Sequence, residues 1–485
     1  MSVKNSVFYN VLLAISQVFF PLITFPYLAR TLGPEHVGVL NFAESIAKYF
    51  VMLAALGIPI YGIREIAKVQ NELKARTKIF AEIFTINLIC TLGLSFLFLA
   101  AVFFIPQLNN EKVLFYWTIA YFFFQVFYLE WFFNGMNQFK FIAIRQFVIR
   151  FFFIIFVFVL IKSQFDYVNY MRMQFGLSVL LAIINFNNLS KHISLNKETF
   201  SNLDLRKHIK PLLYIFLTIF SISIYFSLDT ILLGFLANNE SVGYYSTALK
   251  LNKLIIAVFG AVTVAIFPSL INLYHSQQIE KFRELIRQVF FVLVSLSIPA
   301  IVIFISCAKE IVHVLFSQNF DRSILPLQIT APLILIVSLS SIFGFQILNA
   351  LSKDREILIS AIIGMLLSIL LTFILVSKYK EIGEAVTILL TEFAVCGAFI
   401  YFSKKHYNMK QLLPLMLEQL LAGIPYIIII ICVKLLIVNP FIQLSIIGII
   451  CLGWFTLFHF ILLKNGLVKE QVLLFLKKGA KQVQV

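Results

Sequence analysis

Charge is the scarcest property of this chain. Only 13% of its 485 residues are Asp, Glu, Lys or Arg, against 60% that are hydrophobic. A soluble domain of that length has too little core to hide so much apolar surface. Acids are scarcer than bases, 23 against 39, which leaves a net charge of +16. Cysteine is sparse as well. Cys90, Cys307, Cys396, Cys432 and Cys451 stand singly in apolar runs, so neither a disulfide framework nor a metal-ligand spacing is expected. The seven histidines are dispersed and no H-E-x-x-H pattern occurs. The chain also lacks a G-x-x-x-x-G-K-S/T loop, which excludes a Walker-type ATPase. No cofactor and no metal is expected. The longest polar stretch, about 187–210, is too short for a soluble catalytic domain and reads as a linker, so the chain is not expected to be an enzyme. No small-residue cleavage site follows the first hydrophobic segment, which therefore reads as a retained helix.

What the chain has in abundance is long apolar runs. Runs of roughly 20 residues, each able to cross a ~30 Å hydrocarbon core, recur along nearly the whole length. A β-barrel would show alternating segments of ~10 residues instead. The expected fold is an all-α polytopic membrane protein with about fourteen spans. With the N-terminus inside, 27 of the 39 Lys and Arg fall on cytoplasmic segments, 9 on the opposite side and 3 within spans. That asymmetry places both termini in the cytoplasm. It also accounts for the basic net charge without a nucleic-acid partner, because anionic membrane lipids attract such loops. The tail Leu467–Gln482 is basic and apolar together and is expected to lie on the membrane surface.

A repeat organises these spans. Pro26–Phe50 and the segment ending at Lys253 are two copies of one unit: an offset of about 205 residues brings Val37-Gly38 onto Val242-Gly243, Ala43 onto Ala248 and Lys48 onto Lys253. A second pair, WFFNGMNQFKFIAIRQ and FQILNALSKDREILIS, superposes Asn134 on Asn349 and Lys140 on Arg355 at an offset of about 215. Six spans separate the copies, so the repeat is parallel, about an axis along the membrane normal. The expected layout is a six-helix lobe over 1–200, a second over 201–410, and two extra spans with the basic tail over 411–485.

Charges inside spans are the candidate site, since each costs on the order of 2.5–3.5 kcal/mol at mid-bilayer and needs a cavity or a partner. Glu44 and Lys48 are spaced i, i+4 in the order that favours pairing. Lys250 and Lys253 lie on one face of the eighth span, with no acid on that same helix. A bound polyanion would relieve their repulsion; the alternative is that Lys253 pairs with Asp229 while Lys250 snorkels outward. Arg30 ends the first span, where interfacial and cavity-lining readings compete. Glu130 and Glu392 could exchange protons or be hydrogen-bonded to helix neighbours. Glu82 is expected in an interfacial ion pair with Arg76 or Lys78. Arg145 and Arg150 open the fifth span, as lipid-phosphate anchors or as substrate-capturing groups. Prolines within spans are expected to bend helices. The 54 phenylalanines read mostly as lipid-facing bulk.

Three stretches carry a family resemblance: ARTLGPEHVG, LDTILLGFLANNESVGYYSTALKLNKL and QILNALSKDREILI. They resemble the polysaccharide-transporter branch of the multidrug/oligosaccharidyl-lipid/polysaccharide exporter superfamily, which contains the Wzx-type O-antigen flippases. The resemblance implies transfer of a polyprenyl-diphosphate-linked oligosaccharide from the cytoplasmic to the outer leaflet of the bacterial inner membrane, through a cationic cavity between rocking lobes. On that reading Lys250, Lys253 and Arg30 neutralise the diphosphate, while Asp229, Glu44 and Lys48 tune or couple the cavity. The implied partners are the lipid-linked sugar and membrane lipids, with a monomer acting beside a polysaccharide polymerase and glycosyltransferases. A cation-coupled drug or metabolite antiporter of the MATE branch is the alternative, and such a site would want acids where this chain's deepest cluster is cationic. A lipid II flippase shares the fold and the polyprenyl chemistry, but the quoted motifs fit the polysaccharide branch better.

Overall fold

The computed structural model describes residues 3–194 and 203–459, with side chains described from residue 19 onward except at 218, 219 and 221–227. The expected surface helix of the tail lies outside the described residues. Every regular element described is a helix: α1 (Val3–Ala55), α2 (Ile58–Lys68), α3 (Leu73–Phe104), the single turn α4 (Pro106–Asn109), α5 (Lys112–Phe124), α6 (Glu130–Gly135), α7 (Phe139–Leu160), α8 (Tyr167–Leu189), α9 (Arg206–Leu236), α10 (Asn239–His275), α11 (Ile279–Ser306), α12 (Ala308–Leu315), α13 (Ile324–Thr330), α14 (Leu333–Ser340), α15 (Asp354–Ser403), α16 (Leu413–Leu436) and α17 (Pro440–Leu457). A π-helical stretch, Ser341–Leu348, continues α14.

Among the described residues ten helices are long and apolar enough to cross a membrane, or eleven if the pair bent by 43° around Pro332 is one span. The expected fourteen is a larger number, and two helices account for part of the difference. At 1.5 Å per residue, α1 and α15 are each roughly 75–80 Å long, more than two hydrocarbon thicknesses. Both are broken. In α1 the break is Gly33 (φ 75°, ψ 172°), directly before Pro34. Proline disfavours a helical residue ahead of it, and glycine accepts the positive φ at little cost. In α15 the break is Lys380 (φ 49°, ψ −124°).

The chain forms two compact units, Met1–Ser246 with Val376–Glu381, and Thr247–Leu375 with Ile382–Val485. In the first, α1 packs along α7, α5 along α8 and α2 on α6. Its core gathers Ile66, Phe80, Ile83, Trp131, Phe132 and Phe133, with the Phe80 ring stacked on Trp131. In the second, α11 packs along α16 and against α14, over Ile286, Val294, Ile334 and Ile347. The two C-terminal helices belong to this unit: Lys434 Nζ at the end of α16 reaches Glu310 Oε1 at 2.7 Å and the Ser306 carbonyl at 2.6 Å, and Trp454 Nε1 of α17 donates to the Ala422 carbonyl of α16.

The aromatic load is divided between exposed rings, such as Phe96, Phe104 and Phe393, and buried ones. Nine of the twelve largest fully buried side chains are phenylalanines, Phe42, Phe98, Phe115, Phe122 and Phe320 among them. In a bilayer, packing rather than water exclusion holds helices together, and broad flat rings fill the spaces between them.

Both repeat offsets are visible in the backbone. The turn between α6 and α7 has Asn137 at φ 56°, and 215 residues later Ser352 has φ 54°. The hydrogen bonds correspond one to one: Gln138 N to Phe133 O and Lys353 N to Leu348 O are both 2.9 Å, and Asn137 N to Asn134 O and Ser352 N to Asn349 O are both 3.0 Å.

Candidate substrate site

Within the first unit the two copies of the 205-residue repeat meet each other. The second half of α1 crosses the first turns of α10 so closely that a Cβ on Gly38 would lie 1.6 Å from the Asn239 carbonyl oxygen. A Cβ on Gly243 would lie 1.9 Å from the Pro34 carbonyl oxygen. Gly38 and Gly243 are equivalent positions, and so are Pro34 and Asn239, so exchanging the copies maps one contact onto the other. Asn41 and Ser246, also equivalent, join at this crossing by a 2.7 Å hydrogen bond from Asn41 Nδ2 to Ser246 Oγ. Reciprocal contacts of this kind define a local two-fold axis. Small residues permit the backbone approach, and the Asn-Ser bond supplies a polar tie in an apolar setting.

The predicted site residues distribute around this crossing and along α10. Asp229 on α9 is buried, and its carboxylate accepts from Tyr245 Oη at 2.6 Å and from the Thr230 backbone N–H at 2.7 Å. Through the first of these contacts the buried Tyr245 ties the start of α10 to α9. Glu44 on α1 is half-buried and does not pair with Lys48. Its Oε1 accepts from Tyr170 Oη at 2.9 Å, and Gln174 in turn donates to that hydroxyl. Lys48 is exposed and makes no ion pair among the described residues. Arg30 is exposed at the end of the first stretch of α1. These four belong to the first unit; Lys250 and Lys253 belong to the second. On α10, Lys250 is half-buried and Lys253 exposed. Between them Asn252 is fully buried and donates to Thr330 Oγ1 at 2.8 Å, which fixes the rotation of the helix about its axis and turns the two lysines away from the α13 contact.

Other expected partnerships came out differently. Glu82 is fully buried and pairs with neither Arg76 nor Lys78. Its oxygens take Lys207 Nζ at 2.8 Å, His208 Nε2 at 3.0 Å and the Asp204 backbone N–H at 3.1 Å. His208 Nδ1 lies 2.7 Å from Tyr61 Oη, so α2, α3 and the start of α9 are tied through one carboxylate. Arg76 instead satisfies the His192 carbonyl just beyond α8.

Arg145 is not a surface anchor for lipid phosphate. Its side chain is 1% exposed and pairs with Glu130 at 3.1 Å, while its guanidinium also donates to Asn185 Oδ1. The reason lies in the fourth span, which breaks between α5 and α6 at Leu129 (φ 50°). A break within an apolar layer leaves carbonyls without helical partners. Asn185 Nδ2 donates to the Phe127 and Tyr128 carbonyls at 2.8 Å, and Gln146 holds the other side of Glu130 Oε1 at 2.9 Å. Sequence reasoning missed Asn185, Tyr170, Tyr245, Lys207 and His208. Only Asn41 and Ser246 carried a findable signal, being polar and superposed by the 205-residue offset.

The family model described as "Polysaccharide biosynthesis protein" matches residues 3–273. A "Putative O-antigen transporter" of Escherichia coli (strain K12) is 26% identical over 407 residues, 84% of this chain and 98% of that protein. A protein of the same description from Shigella dysenteriae is 22% identical over 375 residues, 77% of this chain and 93% of that one. Among solved structures, the lipid II flippase MurJ in an inward closed conformation superposes with a TM-score of 0.72 at 17% identity, covering 93% of this chain and 99% of that one. An inward-facing MATE multidrug transporter of the MOP superfamily gives 0.63 at 15% identity, covering 82% and 97%. Structural likeness at such identities shows a shared fold, and the family match spans more than half of the sequence. The chain belongs to the polysaccharide biosynthesis protein family.

Proposed function

We propose that this protein is a flippase for a polyprenyl-diphosphate-linked oligosaccharide, carrying a surface-polysaccharide repeat unit from the cytoplasmic to the outer leaflet of a bacterial inner membrane. The observation that carries the reading is the match to a named O-antigen transporter along 98% of that protein's length. The sign of the substrate follows from α10. Lys250 and Lys253 stand i, i+3 in a helix long and apolar enough to cross a membrane, and such a cationic pair suits a diphosphate. The sugar and diphosphate would occupy a cavity between lobes 1–200 and 201–410, with 411–485 as an accessory segment and both termini in the cytoplasm. Arg30 would add to the diphosphate field, and Asp229, Glu44 and Lys48 would tune it. The protein would act as a monomer, beside the polymerase and glycosyltransferases that use and make the same lipid-linked sugar.

Deleting the gene and analysing surface glycan together with polyprenyl-linked intermediates tests this reading. The expected result is loss of the surface polymer with its lipid-linked repeat unit retained on the cytoplasmic face. An unchanged glycan with raised sensitivity to cationic drugs would instead support the MATE-like antiporter, for which the buried Asp229 carboxylate would be the cation-binding group. Lys250→Ala with Lys253→Ala is expected to abolish export while the protein remains folded and inserted. Normal export by that double variant would remove the lysines from the site.

A further inference from the structure

A cavity of about 1070 Å³ in the first unit plays no part in the transport reading. It opens beside the turn between α6 and α7. Gln70, Asn137, Gln138 and Lys140 supply its polar lining, and Ile144 and Val148 supply an apolar wall. Lys140 is exposed and has no ion pair among the described residues, whereas Lys68 is paired with Glu65 and Lys207 with Glu82. Arg145 also lines the cavity; its side chain is 1% exposed and its Nε has no hydrogen-bond partner.

The helix that starts here has no anion of its own. α7 begins at Phe139 with neither a side-chain cap nor an acid in its first turn, so its first peptide N–H groups point out of the helix unsatisfied. The equivalent turn 215 residues later opens α15 with Asp354 and Glu356, and the similar left-handed turn at Gln277 opens α11 with Glu280. Two of these three turns thus carry their own carboxylate, and the one beside the cavity does not. Beyond the polar lining, Ile144 is 47% and Val148 38% exposed, and the same exposed strip continues through Phe151, Phe152 and Ile155. An anion seated here therefore lies against a hydrocarbon-facing surface.

We propose that this cavity binds an anionic glycerophospholipid of the surrounding bilayer, its phosphate against Lys140 and the N-terminus of α7, its acyl chains along the Ile144 and Val148 face. A free phosphate would leave the apolar wall uncovered, and a zwitterionic lipid would bring no net charge to the lysine. The site is independent of which substrate is transported.

The test uses the full-length protein in nanodiscs containing equal amounts of phosphatidylglycerol and phosphatidylcholine, with retained lipid read by native mass spectrometry. One phosphatidylglycerol is expected to stay bound in preference to phosphatidylcholine. Lys140→Gln should reduce its retention about tenfold, the weight of one charge-assisted phosphate contact. Lys68→Gln, at a lysine already paired with Glu65, should leave retention unchanged. Because Lys140 is exposed, the variant's melting temperature should match that of the parent. Equal retention of the two lipids, or undiminished retention by Lys140→Gln, would overturn the proposal. Displacement of phosphatidylglycerol by undecaprenyl phosphate at equal mole fraction would also overturn it, by assigning the cavity to a polyprenyl lipid.

Discussion

Gly38→Ala is expected to abolish transport and to destabilise the protein by about 1–3 kcal/mol, the usual cost of forcing a methyl group into a closely packed contact. The added Cβ would sit 1.6 Å from one backbone atom and 2.8 Å from another, Gly243 N, so no side-chain rotation relieves it. The helices must separate. Gly243→Ala meets the reciprocal obstacle at Pro34, 1.9 Å away, and the two substitutions act on one crossing. The double variant should therefore cost markedly less than the sum of the singles, since helices already parted by the first methyl group make room for the second. Melting in detergent reads the stability. A disulfide between Asn41→Cys and Ser246→Cys, which replace a pair joined at 2.7 Å, reads the separation and should form in the parent background but not with Gly38→Ala. Gly93→Ala and Gly176→Ala are the controls: nothing lies within 4 Å of either new Cβ, and both sit inside helices, where alanine is favoured by roughly 0.5–1 kcal/mol. Additive losses for Gly38 and Gly243, or full activity of either variant, would remove the crossing from the mechanism.

That crossing also shows how far the sequence could be read. Superposing Gly38 on Gly243 marks the positions as equivalent, and the physics of parallel repeats supplies an axis between them. Equivalence alone does not say that the two glycines touch; that depends on how closely the helices approach, which no offset encodes. The second offset was legible in finer detail than expected, down to the left-handed residue at Asn137 and Ser352, because a turn's backbone is set by a few local residues. Polar partnerships were the least legible. Glu82 lies within six residues of Arg76 and Lys78, yet its partners come from Lys207 and His208, over 120 residues away in sequence. In an apolar layer a carboxylate takes the donors that helix packing delivers, and packing partners are not local information. The same holds for Glu44, whose i+4 lysine is reachable but whose carboxylate is held by Tyr170.

The Glu130–Arg145 pair makes the most asymmetric prediction. Arg145 is 1% exposed and Glu130 is 32% exposed, so the two residues differ in what each leaves behind. Glu130→Leu removes the only ion partner of a buried guanidinium among the described residues and leaves it the neutral Asn185 and Tyr128 acceptors, a loss on the order of 3–5 kcal/mol for a broken buried pair. Arg145→Leu leaves a carboxylate that rehydrates at its exposed edge and still holds Gln146 at 2.9 Å, and it is expected to cost less than half as much. The Tyr128 carbonyl keeps Asn185 as donor in both variants. Replacing both residues by leucine removes the stranded charge, so the double variant should be more stable than Glu130→Leu alone. Thermal melting of the four proteins in one detergent gives the comparison. Equal destabilisation by the two single substitutions would mean that the guanidinium reaches water by moving. In that case the break at Leu129 would be held by Asn185 rather than by the ion pair. Asn185→Leu, which unpairs the Phe127 carbonyl and leaves the Tyr128 carbonyl only the 3.5 Å contact of Arg145, would then be the largest effect in the fourth span.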